Sequence, residues 1–288
     1  MIKSPSLPYH FDPITQVLTI NQATDDQLPS KHVILSTRHI IANNCVITTL
    51  HGISACKLLT TLTLVHCRLV SLEEIKQCPH LATINVDHNE LQSLEGIEYL
   101  NNLRHLSVAH NQIRSVHQAK WCTRLATLDV SHNQIRSMDG IETLYGLIEL
   151  VCDNNHLTHL NQVYLLSRLQ WLSYANNQVT LTIKLVRYLV IIRHINCSNN
   201  AITDIDFIVR LGSLQSFVCN DNRVSEFCDT INLGSLVTLM MNNNHLAWIE
   251  DVHLLVSLRN LSLIGNRFLM TQAQLKSACP TLTQVLLD

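Results

Sequence analysis

Four histidines recur at a fixed interval: His66, His88, His110 and His132, each 22 residues after the last. Imidazole titrates near neutrality and is a common ligand for transition metals. If each sits on a neighbouring strand of one parallel sheet, the rings form a column with a pitch of roughly 5 Å. Such a column could bind a metal or sense pH. The plainer reading is that Ser-His-Asn and Ala-His-Asn are ordinary variants of a loop, since no carboxylate or thiolate completes a tetrahedral set. A second group joins acids to an indole: Asp129, Glu149, Asp153, Trp171 and, beyond them, His194. Those types suit recognition of a basic surface, with an aromatic anchor at its centre. Catalysis finds little footing. The chain has seven glycines and no Gly-rich phosphate loop, and no Cys–His pair sits on a strained elbow. Neither an enzyme nor a cofactor is expected.

The elements that position these residues follow from one repeat. Leu103, Leu106, Val108, Asn111 and Ile113 recur 22 residues later as Leu125, Leu128, Val130, Asn133 and Ile135. This is the L-x-x-L-x-L-x-x-N-x-L pattern of a leucine-rich repeat. The alternation Leu106–Val108 marks a short strand. Apolar residues every third position thereafter (Val116, Ala119, Cys122) mark a tight return segment. One position reads Cys45, Cys67, Asn89, Asn111, Asn133, Asn155, Asn177, Asn200, Asn222, Asn244 and Asn266, in steps of 22 except for one step of 23. The expected fold is an α/β solenoid: a leucine-rich repeat horseshoe with a concave parallel β-sheet and a convex face of short helical or extended segments. The step of 23 coincides with Leu181, Leu185 and Leu189, spaced by four with Val186 beside them, which predicts a helix on the outer face.

Ten cysteines invite a disulfide reading, but their positions oppose it. Cys45 and Cys67 replace the recurrent Asn. Cys152, Cys197 and Cys219 fall on the second inward strand position, and Cys56, Cys78 and Cys122 end return segments. They read as small buried hydrophobes and free thiols, which implies a reducing, cytoplasmic compartment. A formal net charge of -2 gives no electrostatic reason to expect nucleic acid. No run of about 18 apolar residues predicts a membrane span. Pro5, Pro8 and Asp12 stand where a signal peptide would need an apolar core.

Residues 1–36 hold four of the six prolines and an eroded repeat, with Leu18 and Ile20 on strand positions and Leu28 and Ile34 on return positions. They are expected to cap the solenoid, residues 37–268 to form its repeats and residues 269–288 to close it, as one continuous domain. The chain runs Cys279-Pro280-Thr281-Leu282 to Leu287-Asp288. With the 22-residue period, this resembles leucine-rich repeat proteins of the SDS22-like class, whose C-terminal cap is a helix followed by a Pro-x-Leu segment. The resemblance covers about residues 37–288. It implies a non-catalytic protein–protein interaction scaffold, either phosphatase-regulator-like or a bacterial effector acting in the host cytosol. Alternatives are a nucleic-acid-associated subunit of the splicing-factor type and, further off, a metal-dependent enzyme using the histidine column.

Candidate contacts lie on strand positions pointing out of the sheet, in three columns. One carries His105, Glu149, Trp171 and His194, the next Asp129 and Val151, and the third Asp153. The expected partner is a protein with a basic or mixed surface, held on the concave face. No nucleic acid, membrane or small-molecule substrate is expected.

Overall fold

The computed structural model describes residues 9–21, 35–180, 189–227 and 230–288. The chain divides into two compact units, Met1–Ile135 with Asp139–Leu144, and Arg136–Met138 with Tyr145–Asp288. Each unit is a stack of repeats.

In the first unit, strands β1 (Tyr9–Asp12) and β2 (Val17–Asn21) pair antiparallel, with Tyr9 opposite Ile20. From β2 onward the pairing is parallel and in strict register through β3 (His39–Asn43), β4 (Thr61–Val65), β5 (Thr83–Asn85), β6 (His105–Ser107) and β7 (Thr127–Asp129). Leu18 and Ile20 are buried on β2 as the eroded repeat predicts. The hairpin partner β1 was not foreseen, and it pairs the edge that β2 would otherwise leave open. Leu28 and Ile34 lie outside the described residues.

The second unit holds β8 (Glu149–Val151), β9 (Trp171–Ser173), β10 (His194–Asn196), β11 (Ser216–Val218), β12 (Thr238–Met240), β13 (Asn260–Ser262) and β14 (Gln284–Leu286). All pair in parallel with their neighbours in this order. Before β14 comes the helix α1 (Gln272–Ala278). The Thr271 side chain caps it, accepting from Gln274 N while Gln274 reaches back to Thr271 N. The helix expected across Leu181 to Leu189 lies outside the described residues except for Leu189, which is buried.

Return segments are short 3-10 turns, such as Glu73–Gln77, His117–Trp121, Asn161–Leu165 and Asp206–Arg210. Most bury a single apolar residue, Asp206–Arg210 burying both Phe207 and Ile208, and each ends on a buried residue; three of these ends are Cys56, Cys78 and Cys122. Burial pushes their thiols up to about 12, 11 and 12 respectively. All nine described cysteines are free and buried; Cys228 lies outside the described residues.

The recurrent Asn satisfies backbone groups that no strand reaches. Asn111 donates from Nδ2 to the carbonyls of Val86, Val108 and Ala109, and its Oδ1 accepts from Leu91 N at 3.0 Å. Asn89 and Asn133 repeat the arrangement. Cys67 does part of the same work. Its thiol donates to Ala42 O and Val65 O, two of the three relative positions that the Asn amide reaches. A thiol offers only a weak acceptor, and Ile47 N, which would have met Oδ1, donates instead to the carbonyl of Cys67 at 2.8 Å. The backbone therefore compensates for the missing amide.

Candidate functional site

The residue before each ladder position turns the corner with a left-handed backbone. Asn44, His66, His88, His110, His132, Asn154, Asn176, Asn199, Asp221 and Asn243 have φ between 52° and 55°, and Gly265 completes the column at 73°. Only Gly, Asn, Asp and His adopt that region with ease. This explains the residue types in every turn, histidine included. In the first unit the four imidazoles also stack face to face. Centroids are 4.1, 4.0 and 3.8 Å apart along His66–His88–His110–His132, with planes within 19°. Burial, then the neighbouring rings, hold His88 and His110 below the usual imidazole value, and Asp87 opposes this.

The sheet face of the second unit carries Trp171. Its strand alternates as pattern demands: Leu172 is buried, while the indole is 43% exposed. His194, in register on β10, packs against it with ring centroids 4.5 Å apart and planes 35° from each other. Burial, followed by the adjacent Arg193 charge, lowers the His194 pKa, which favours the neutral ring beside the indole. On the other side Glu149 is in register with Trp171, and Val151 with Ser173. Glu149 and Val151 are both half-buried. The strands thus bring Glu149, Val151, Trp171 and His194 onto one continuous patch.

Asp153 belongs to that patch but is not a free charge. It accepts from Ser173 Oγ at 2.7 Å and from Ala175 N at 2.6 Å, tying β8 to the loop after β9. The first unit repeats the device, with Asp87 taking Ser107 Oγ and Ala109 N. Asn242 does the same with Ser262 Oγ and Ile264 N. The third outward column is therefore partly structural, and Ala109, Ser131 and Ala175 within it are buried rather than presented to a partner.

His105 and Asp129 lie in the first unit. His105 is exposed, and its Nδ1 is 3.0 Å from Thr127 Oγ1. Asp129 accepts from Ser131 N at 2.9 Å and stabilises the turn after its own strand. No cluster of three or more His, Cys, Asp or Glu side chains suits a metal among the described residues.

Exposed aromatics on the return side were not anticipated. Tyr99, Trp121, Tyr145, Tyr164 and Trp248 all show large surfaces there. Lys120 Nζ lies 5.0 Å from the Trp121 ring. Tyr99 and Trp121 stand 22 residues apart, in the same place of successive repeats, which the period alone could have shown.

No protein-family model matches the chain, and no curated protein does. Solved structures do. An internalin, InlF from Listeria monocytogenes, superposes with a TM-score of 0.76 at 19% identity, over 94% of this chain and 86% of that one. The fold is that of the leucine-rich repeat proteins. The functional domain of InlJ from the same organism matches at 0.76 and 23% identity, over 89% of this chain but only 59% of that one. A plant peptide hormone receptor, RGFR1, solved in complex with RGF2, matches at 0.76 and 20% identity over 94% of this chain and 47% of the receptor. At these identities the leucine-rich repeat fold is what the likeness carries. No helix among the described residues is long and apolar enough to cross a membrane.

Proposed function

We propose that this chain is a non-catalytic interaction scaffold that holds a partner protein on the outward sheet face of its second unit. The observation that carries the reading is the Trp171–His194 ring pair, half-exposed on a strand surface where the core requires no aromatic. A rigid indole brings a large contact area at small entropic cost. Glu149, in register with Trp171 on the neighbouring strand, selects a basic or mixed patch on the partner. Asp153 contributes mainly by fixing the β8–β9 surface. His105 and Asp129 supply a separate polar patch in the first unit.

A binding role agrees with the neighbours: one is a receptor solved with a peptide hormone. The 22-residue period and the α1–β14 ending support an SDS22-like, phosphatase-regulator-like or effector-like scaffold, capped by residues 1–36 and 269–288. The free, buried cysteines support a reducing, cytoplasmic site of action.

The test is photo-crosslinking. A photoreactive phenylalanine analogue is placed at Val218 on the sheet face, or at Val256 on the return side of the same unit. A protein crosslinked from Val218 and not from Val256 supports the reading. Crosslinks from Val256 alone move the site to the return side.

A further inference from the structure

The histidine stack of the first unit is not used by the partner surface proposed above. Four exposed imidazoles at stacking distance are an uncommon use of a surface. The left-handed backbone accounts for histidine being tolerated at each position, but Asn fills the same column in later repeats. What the histidines add is a row of nitrogen donors.

We infer that adjacent histidines of the column, His66 with His88 and His110 with His132, form open two-donor sites for a divalent transition cation of the zinc type. The spacing carries the argument. Two imidazole nitrogens on one Zn²⁺, each about 2.0–2.1 Å from it, lie at most about 4.2 Å apart. Ring centroids stand 4.1 Å apart for His66–His88 and 3.8 Å for His110–His132, so turning the exposed rings brings one nitrogen of each within that reach. The rings are stacked, with planes 19° and 12° from parallel, and each lone pair lies in its ring plane, so the exposed rings turn out of the stack to aim both lone pairs at one ion. The backbone that holds them is fixed on successive turns, so only side-chain rotation remains to be ordered on binding. The Asp87 charge, held by Ser107 and Ala109, acts on both His88 and His110 and favours a cation there. No third side chain closes the shell among the described residues, so water or a donor from a bound partner completes it. Copper binds the same pairs more tightly than zinc, following the usual order of affinities.

Two double variants separate adjacency from histidine content. His66→Asn with His88→Asn keeps the pair His110–His132. His66→Asn with His110→Asn keeps His88 and His132, which are roughly 8–10 Å apart at two strand spacings and cannot share an ion. Both lose two histidines, and both introduce the residue found in this column at Asn154, Asn176 and Asn199, so the turn is preserved. The remaining surface histidines contribute equally to each. Isothermal titration with zinc chloride, followed by histidine ring resonances, is the readout. The parent binds two ions per chain at these pairs. The first variant keeps one at parental affinity, with the signals of His110 and His132 perturbed. In the second, affinity falls by at least about tenfold. Identical titrations of the two variants overturn the inference, as does a parent that binds no better than the variant with Asn at all four positions.

Discussion

Replacing Asn111 by Ala and by Cys gives two different costs, and the difference tests how the ladder works. Asn111 is 8% exposed. Truncation to Ala leaves Leu91 N without its acceptor, at about 1–3 kcal/mol for a buried donor. It also removes two amide hydrogens shared among the carbonyls of Val86, Val108 and Ala109, each bond contributing about 0.5–1.5 kcal/mol. The sum is on the order of 3–4 kcal/mol. Cys retains one donor to those carbonyls, as Cys67 does, and Ala retains none. The expected loss for Asn111→Cys is therefore smaller by about 1 kcal/mol. Urea unfolding monitored by circular dichroism gives the ranking, and native-state hydrogen exchange at the Leu91 amide gives the local cost. Equal losses for the two variants would refute the claim that a thiol does part of the work of the amide. So would a Leu91 amide that stays as protected in the Ala variant as in the parent.

Other outcomes follow from the same structure. In metal-free protein, stability falls as pH drops below about 6.5: the folded pKa values of His88 and His110 are lowered, so the unfolded chain takes up protons first, and stability present at neutral pH is lost through the folded values. His88→Asn with His110→Asn should flatten that acid limb in urea midpoints measured with a chelator, and an unchanged limb would show the rings to be too solvated to couple. Gly96→Ala should cost several-fold more stability than Gly52→Ala, because an added Cβ meets Leu72 O at 2.5 Å at the first site and nothing within 4 Å at the second; equal midpoints would contradict this. Thiol titration without reductant should return close to ten thiols in denaturant, and very slow reaction in the native state, since burial raises Cys56, Cys67, Cys78 and Cys122. Two or more missing thiols would point to a disulfide.

The repeat was legible because one side chain does the same job in every turn. The ladder residues, including Cys45 and Cys67, are buried or half-buried where the period places them. The hairpin β1–β2 was not legible, since it occurs once and follows no repeat. The left-handed corner could have been read from its residue types, because Asn, His, Asp and Gly fill that column from Asn44 to Gly265. The outward columns were harder. Trp171 and His194 pair because their register is fixed by the period, and that much followed from the sequence. The sequence marks Asp153 as an acid for a basic partner, while its bonds to Ser173 and Ala175 show only once the neighbouring strand is in place. The recurrence of Asp87, Ser107 and Ala109 at the same offsets was the signal that an acid there is a brace. Charge and type mark such a residue for a partner; only its hydrogen bonds show whether it is already engaged.

The most direct test of the proposed interface is the affinity of the crosslinked partner for two tryptophan variants. Trp171 stands on the sheet face, whereas Trp248, 56% exposed, precedes the return turn Val252–Leu254 of the same unit. Trp171→Ala should weaken binding by about 30-fold, roughly 2 kcal/mol for loss of a central aromatic anchor, with the thermal midpoint nearly unchanged. Trp248→Ala should bind as the parent does. Undiminished binding by Trp171→Ala, or a loss confined to Trp248→Ala, would contradict the account.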